Sequence, residues 1–129
     1  MNTPILPPTM APPAANYVHA MLSTGATRIL HTSGVVPTAP DGTTPSGIAD
    51  QAEVVWQNIT ALLAEADMLI SDVVSITTYV VVDHLASLGL VMAARDRAMG
   101  DHRAASTLVT VPALARPEWQ MEIAVVAIA

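Results

Sequence analysis

The chain of 129 residues has the length of a single domain, and a domain of that size hides about two-thirds of its unfolded surface on folding. Lysine and cysteine are absent, and five arginines against eleven acids leave a net charge of −6, which disfavours nucleic acid and excludes lysine Schiff bases, disulfides, thiolate nucleophiles and thiolate metal sites. The hydrophobic fraction is 52% and there is no Phe, yet no apolar run approaches the roughly 20 residues of a membrane span, so contact between subunits is the expected outlet for the excess apolar surface.

Residues 1–16 carry Pro4, Pro7, Pro8, Pro12 and Pro13 and read as an extended arm without ladder hydrogen bonds, ahead of a single domain over residues 17–129. With no positive charge and no continuous apolar stretch, this arm does not read as a secretory signal, and a cytoplasmic location is expected. Tyr17 to Ser23 and Arg28 to Ser33 are short β-prone runs on either side of Thr24-Gly25-Ala26, which predicts an antiparallel hairpin. Pro37 to Gly47 is loop, with a tight turn at Asp41-Gly42. From Ile48 the period becomes helical, with Ala52, Val55, Trp56, Ile59, Leu62, Leu63 and Ala66 on one face.

Asp72 to Val82, dense in β-branched residues, predicts a central strand. A second helix follows over Leu85 to Met99, its stripe of Leu88, Val91, Met92 and Met99 interrupted by Arg95. Gly100 suits a helix C-terminal cap, Ser106 to Val111 is a strand, Pro112 to Pro117 a loop, and Gln120 to Ile128 a final buried strand. The order β-β-α-β-α-β-β implies an α+β domain with two helices on one face of a mixed sheet. The other face is then expected to be apolar and bare, and oligomerisation would cover it.

Specific residues join this order of elements. Tyr17-Val18-His19-Ala20, Thr32-Ser33-Gly34, Asp41-Gly42, Gln51 ahead of Asn58, and Met121-Glu122-Ile123 occur in sequence over most of the chain. Together they resemble the Rid/YjgF family of reactive-intermediate deaminases. The resemblance implies the chorismate-mutase-like fold, a homotrimer whose sheets line a central barrel, and small-molecule sites in clefts between subunits. It also implies an arginine in a Pro-Ala-Arg motif that holds a substrate carboxylate, and a glutamate on the last strand that positions water. Here the matching stretch is His102-Arg103-Ala104-Ala105-Ser106-Thr107, so Ala104 stands for the motif's proline and Ser106 for its arginine, while Val35 stands where a glutamine is usual. A serine hydroxyl replaces neither the charge nor the fork of a guanidinium.

Glu122 is the strongest candidate, because an acid in an apolar strand is costly to bury without a task or a partner. It reads either as a general base or water-orienting carboxylate, or as a strand-end acid paired with Arg103 or Arg116. Tyr17 and Ser33 are candidate hydroxyl donors at the cleft, though both also fit as ordinary core or turn residues. Gly34, Ser106 and Thr107 are candidate substrate contacts, and no Ser-His-Asp spacing accompanies the serine. Arg103, with His102, is a candidate replacement cation, but Arg103 and Ser106 have opposite strand parity.

Arg95-Asp96-Arg97 reads as an interfacial or solvated ion-pair set, with Arg95 hinting at a subunit contact. Trp56 reads as helix core, and Trp119 as lying near the cleft or the interface. The four histidines show no metal-binding spacing, so neither a metal nor a cofactor is expected. The functional expectation is a hydrolase or deaminase-like enzyme for an imine, enamine or related enolisable metabolite other than the usual 2-imino acid. The alternative is a non-catalytic trimer that binds a small ligand or a protein in the same clefts.

Overall fold

A computed structural model describes all 129 residues. In chain order the elements are β1 (Asn2–Ile5), β2 (Ala20–Ser23), β3 (Ile29–His31), α1 (Ile48–Glu65), β4 (Val73–Val81), α2 (Leu88–Met99), β5 (Ala105–Val111) and β6 (Met121–Ile128), with short 3-10 turns before β4 and before α2. Four strands form the main sheet in the order β3-β6-β4-β5, and β1 and β2 form a separate ribbon. The β4–β5 pair is parallel, as a connection through a helix requires, and the other pairs are antiparallel.

The predicted hairpin does not form. β2 pairs with β1, Thr3 opposite Leu22, whereas β3 pairs with the far end of the chain, Ile29 opposite Ile128. Turn residues mark where a chain can reverse, and here the ladder of β3 is filled instead by β6 and by Ala129, whose carbonyl accepts from Thr27 and Arg28 N–H. The N-terminal arm correspondingly makes ladder bonds that its prolines argue against. Pro4 sits in a two-stranded ribbon, where a missing donor is tolerated. Asn2 ties the ribbon to the main sheet by donating from Nδ2 to the Ile128 carbonyl at 2.8 Å.

Both helices lie over one face of the main sheet. Buried Ile48, Ala52, Val55, Trp56, Ile59 and Leu63 of α1 and Val91, Ala94 and Met99 of α2 pack against Ile76 and Val80 of β4 and Met121, Ile123, Val125 and Ala127 of β6. Leu62, placed on the core face by periodicity, is 42% exposed. Gln51 is fully buried with both ends of its amide satisfied. Its Nε2 donates to the carbonyls of Pro45 (2.7 Å) and Glu118 (2.8 Å), and its Oε1 accepts from Gln120 N (2.9 Å). The helix thereby fixes the loop that feeds β6.

The opposite face of the sheet carries no helix. It presents Thr77, Tyr79, Thr107, Val109, Glu122, Ala124 and Val126, a mixed rather than uniformly apolar surface.

Candidate functional site

On β6 every second residue is buried against the helices, so Glu122 points to the uncovered face, opposite Tyr79 of β4. The segment after β3 continues along β6 with one residue to spare: His31 pairs with Val126, but Val35 pairs with Ile123. This bulge brings Gly34 to Glu122. Thr32 pins it, with Oγ1 accepting from Val125 N at 2.9 Å and donating to the Ser33 carbonyl at 2.7 Å. A Cβ on Gly34 would lie 2.7 Å from Glu122 Oε1 and 2.9 Å from its Cδ, so the carboxylate rests where any other side chain would begin.

The Glu122 carboxylate makes no ion pair and no hydrogen bond within the chain. Arg116, one partner weighed from sequence, faces Glu118 at 3.9 Å and stacks over Trp119 at 5.5 Å. Arg103, the other, donates from Nη1 to the carbonyls of Gly100 (2.6 Å) and His102 (3.1 Å) just beyond α2. Within one chain, neither arginine pairs with Glu122. Ser33 is exposed with its hydroxyl free.

A second cluster forms at β5. In the parallel register Ser106 lies beside Ile76 and Leu108 beside Thr78, so both face α2, while Thr107 faces the uncovered side. Val18 N donates to the Ala104 carbonyl at 3.1 Å, which lays the segment before β2 along the start of β5 and sets Tyr17 near Ser106. Tyr17, Ser106, Arg95, Ala15, Met92 and Leu108 line an open pocket of about 260 Å³. The Tyr17 hydroxyl accepts from Ala14 N at 3.3 Å, and its ring meets His19 edge-on at 6.1 Å between centroids.

Sequence reasoning looked for a cation here at His102 or Arg103, and neither lines the cavity. His102 Nε2 is bonded to the Val73 carbonyl at 2.6 Å, and Arg103 is taken up by main chain. The cation that lines it is Arg95, only 6% exposed. Its signal was present as the one charge on the apolar stripe of α2, but the stripe alone did not say which strand it faces.

Glu122 and Ser106 thus stand on opposite faces of the sheet within one chain. A larger cavity of about 390 Å³ lies between the helices, lined by Glu53, Trp56, Gln57, Thr60, Arg97 and Ala98. An exposed ion pair between Arg97 and Glu53 lies in its lining, and none of the motif residues reaches it. No group of histidine, aspartate and glutamate side chains is arranged to hold a metal, and no helix is long and apolar enough to cross a membrane.

Comparison with known proteins places this geometry among relatives. Residues 8–129 match the family model described as endoribonuclease L-PSP. The yeast (Saccharomyces cerevisiae) protein HMF1 is 32% identical over 114 residues, 87% of this chain and 84% of its own. The crystal structure of YyfB from Yersinia pestis, a protein of unknown function in the conserved Rid family, superposes with a TM-score of 0.88 at 30% identity, covering 99% of this chain and 98% of that one. TdcF from E. coli, crystallised with bound serine, shares the fold at a TM-score of 0.69 and 22% identity over 96% of this chain and 93% of its own.

Proposed function

Because the chain belongs to the Rid/YjgF family, which also bears the name endoribonuclease L-PSP, we propose that it is a small-molecule hydrolase of the deaminase type. Its substrate is an imine, enamine or related enolisable metabolite. The observation that carries this reading is the unpaired carboxylate of Glu122, held against Gly34 on the uncovered face of the sheet. A carboxylate with all its lone pairs free accepts a proton from water as that water adds to an imine carbon. The carboxylate passes that proton to the imine nitrogen to give a carbinolamine, whose hydroxyl proton then moves to the nitrogen as the C–N bond breaks, so that ammonia leaves and a carbonyl remains.

Glu122 and Ser106 face opposite ways, so one subunit does not bring both to one substrate. The reading therefore includes a homotrimer in which the Glu122 face of one subunit and the Tyr17–Ser106 cavity of another close a shared cleft. Ser33 and Tyr17 supply hydroxyls there, and Gly34 and Thr107 line the side nearer Glu122. Ser106 in place of the motif arginine argues against 2-imino acids bound through a fork on β5.

The test is to generate imines in situ with an amino-acid oxidase and to follow release of ammonia. Glu122→Gln is expected to abolish the acceleration while leaving the melting temperature unchanged, and an undiminished rate would overturn the assignment. Ser106 also favours a second reading, a non-catalytic trimer that binds a small ligand or a protein. That reading is supported if the native protein converts no imine and Ser106→Arg gains the activity.

A further inference from the structure

We infer that Glu122 and Tyr79 form a cation subsite, and that the reacting C=N group occupies it as its protonated, iminium form. This rests on the reading of Glu122 above and adds the charge state in which the substrate is taken. Tyr79 of β4 lies directly opposite Glu122 of β6 on the uncovered face. Two residues further along, Val81 N donates to the Gln120 carbonyl at 2.9 Å, so Tyr79 and Glu122 are themselves a hydrogen-bonded pair, with Cα atoms about 5.5 Å apart. Gly34 meets the carboxylate from the β3 side, and Tyr79 flanks it from the other.

The carboxylate has no counter-ion in the chain. Lysine is absent, and each arginine is held elsewhere: Arg28 by the carbonyls of Ala66 and Asp67, Arg95 by Asp96, Arg97 by Glu53, Arg103 by the carbonyls of Gly100 and His102, and Arg116 by Glu118. His31 shares the face, but it pairs with Val126, about 13 Å along β6 from Glu122. An uncompensated carboxylate beside an aromatic ring attracts a cation by its charge and by the ring quadrupole, which acts within about 6 Å of the centroid. Val109, beside Tyr79 on β5 and 40% exposed, extends this surface for an apolar substituent. An imine nitrogen is basic, and its protonation makes the attached carbon more electrophilic. Water adds to that carbon, the π pair moves onto nitrogen, and one water proton goes to Glu122, which leaves a neutral carbinolamine. Glu122 returns the proton to nitrogen. As the C–N pair departs with ammonia, the hydroxyl proton passes to the carboxylate and from there to ammonia, so that an iminium ion and water become a carbonyl and ammonium.

The probes are benzamidine, whose planar amidinium cation stands in for an iminium ion, and benzamide, its neutral counterpart, each titrated into the intact protein by calorimetry. Benzamidine is expected to bind about ten-fold more tightly than benzamide, and Glu122→Gln to remove that preference. Tyr79→Leu is expected to weaken benzamidine about five-fold, whereas Tyr79→Phe keeps the ring and the affinity. Equal binding of the two probes by the native protein overturns the inference without recourse to any variant. A preference that survives Glu122→Gln overturns it as well, because the cation is then held elsewhere on an acidic protein. An equal loss in Tyr79→Phe and Tyr79→Leu, or no loss in either, removes the ring from the subsite and overturns the pairing proposed here. Preference for benzamidine without imine turnover would sink the hydrolase reading alone. Turnover without that preference would sink this one alone.

Discussion

The contact between Gly34 and Glu122 turns a motif glycine into a measurable claim. Gly34→Ala places a methyl group 2.7 Å from Glu122 Oε1, and the flexible end of the glutamate must swing away. Because the atom displaced is the tip of a half-exposed side chain, stability is expected to change by less than about 1.5 kcal/mol. A misplacement of about 1 Å at a reacting group costs on the order of 100-fold in rate, so imine turnover should fall by about that factor while the melting temperature stays nearly constant. A variant of undiminished activity would show that the carboxylate does not work from this position. Both residues were legible in the sequence, Glu122 as an acid in an apolar strand and Gly34 in its motif. Arg95 was legible only as an anomaly. Its neighbour Ser106 is set by how α2 packs on β5, and helical periodicity gives a face without naming what covers it.

At the level of elements, the C-terminus of α1 carries a cost that can be relieved. Met68 N bonds to the Leu63 carbonyl at 2.8 Å and Asp67 N to the Ala64 carbonyl at 3.1 Å, the two bonds of a Schellman cap, with Asp67 at the left-handed position (φ 51°) that glycine normally fills. The carboxylate there also opposes the helix dipole, and Arg28 compensates by donating to the carbonyls of Ala66 (2.8 Å) and Asp67 (3.3 Å). Asp67→Gly keeps both main-chain acceptors and is expected to stabilise the protein by about 1 kcal/mol, raising the melting temperature by about 4 °C. A fall in melting temperature would refute this account of the cap. Both helices and the strands β4, β5 and β6 could be read from periodicity and β-branching, since those signals are local. The pairing of β3 with β6 could not, because Ile29 and Ile128 meet across almost the whole chain and the turn at Gly25 looks the same whichever strand lies beside β3.

For the whole molecule, the uncovered sheet face decides whether the chain works alone. Its central residues are small or β-branched, Thr77, Thr107, Ala124 and Val126, and beside them Val109 is 40% exposed without a helix to cover it. Such a mixed surface resembles an interface more than a core, and in the proposed trimer it is covered by copies of the same chain. In the proposed trimer it supplies Glu122 to the cleft, so assembly and turnover should be lost together. Ala124→Arg sets an unpaired cation at the middle of this face, next to Thr77, and is expected to weaken association by about 3 kcal/mol, or roughly 100-fold. Sedimentation should then report the native protein at about three times its chain mass of 13.5 kDa and the variant as a folded monomer without imine turnover. A native protein that sediments as a monomer while turning over imines would overturn the shared cleft, because Glu122 would then act without the cavity on the far side of its own sheet.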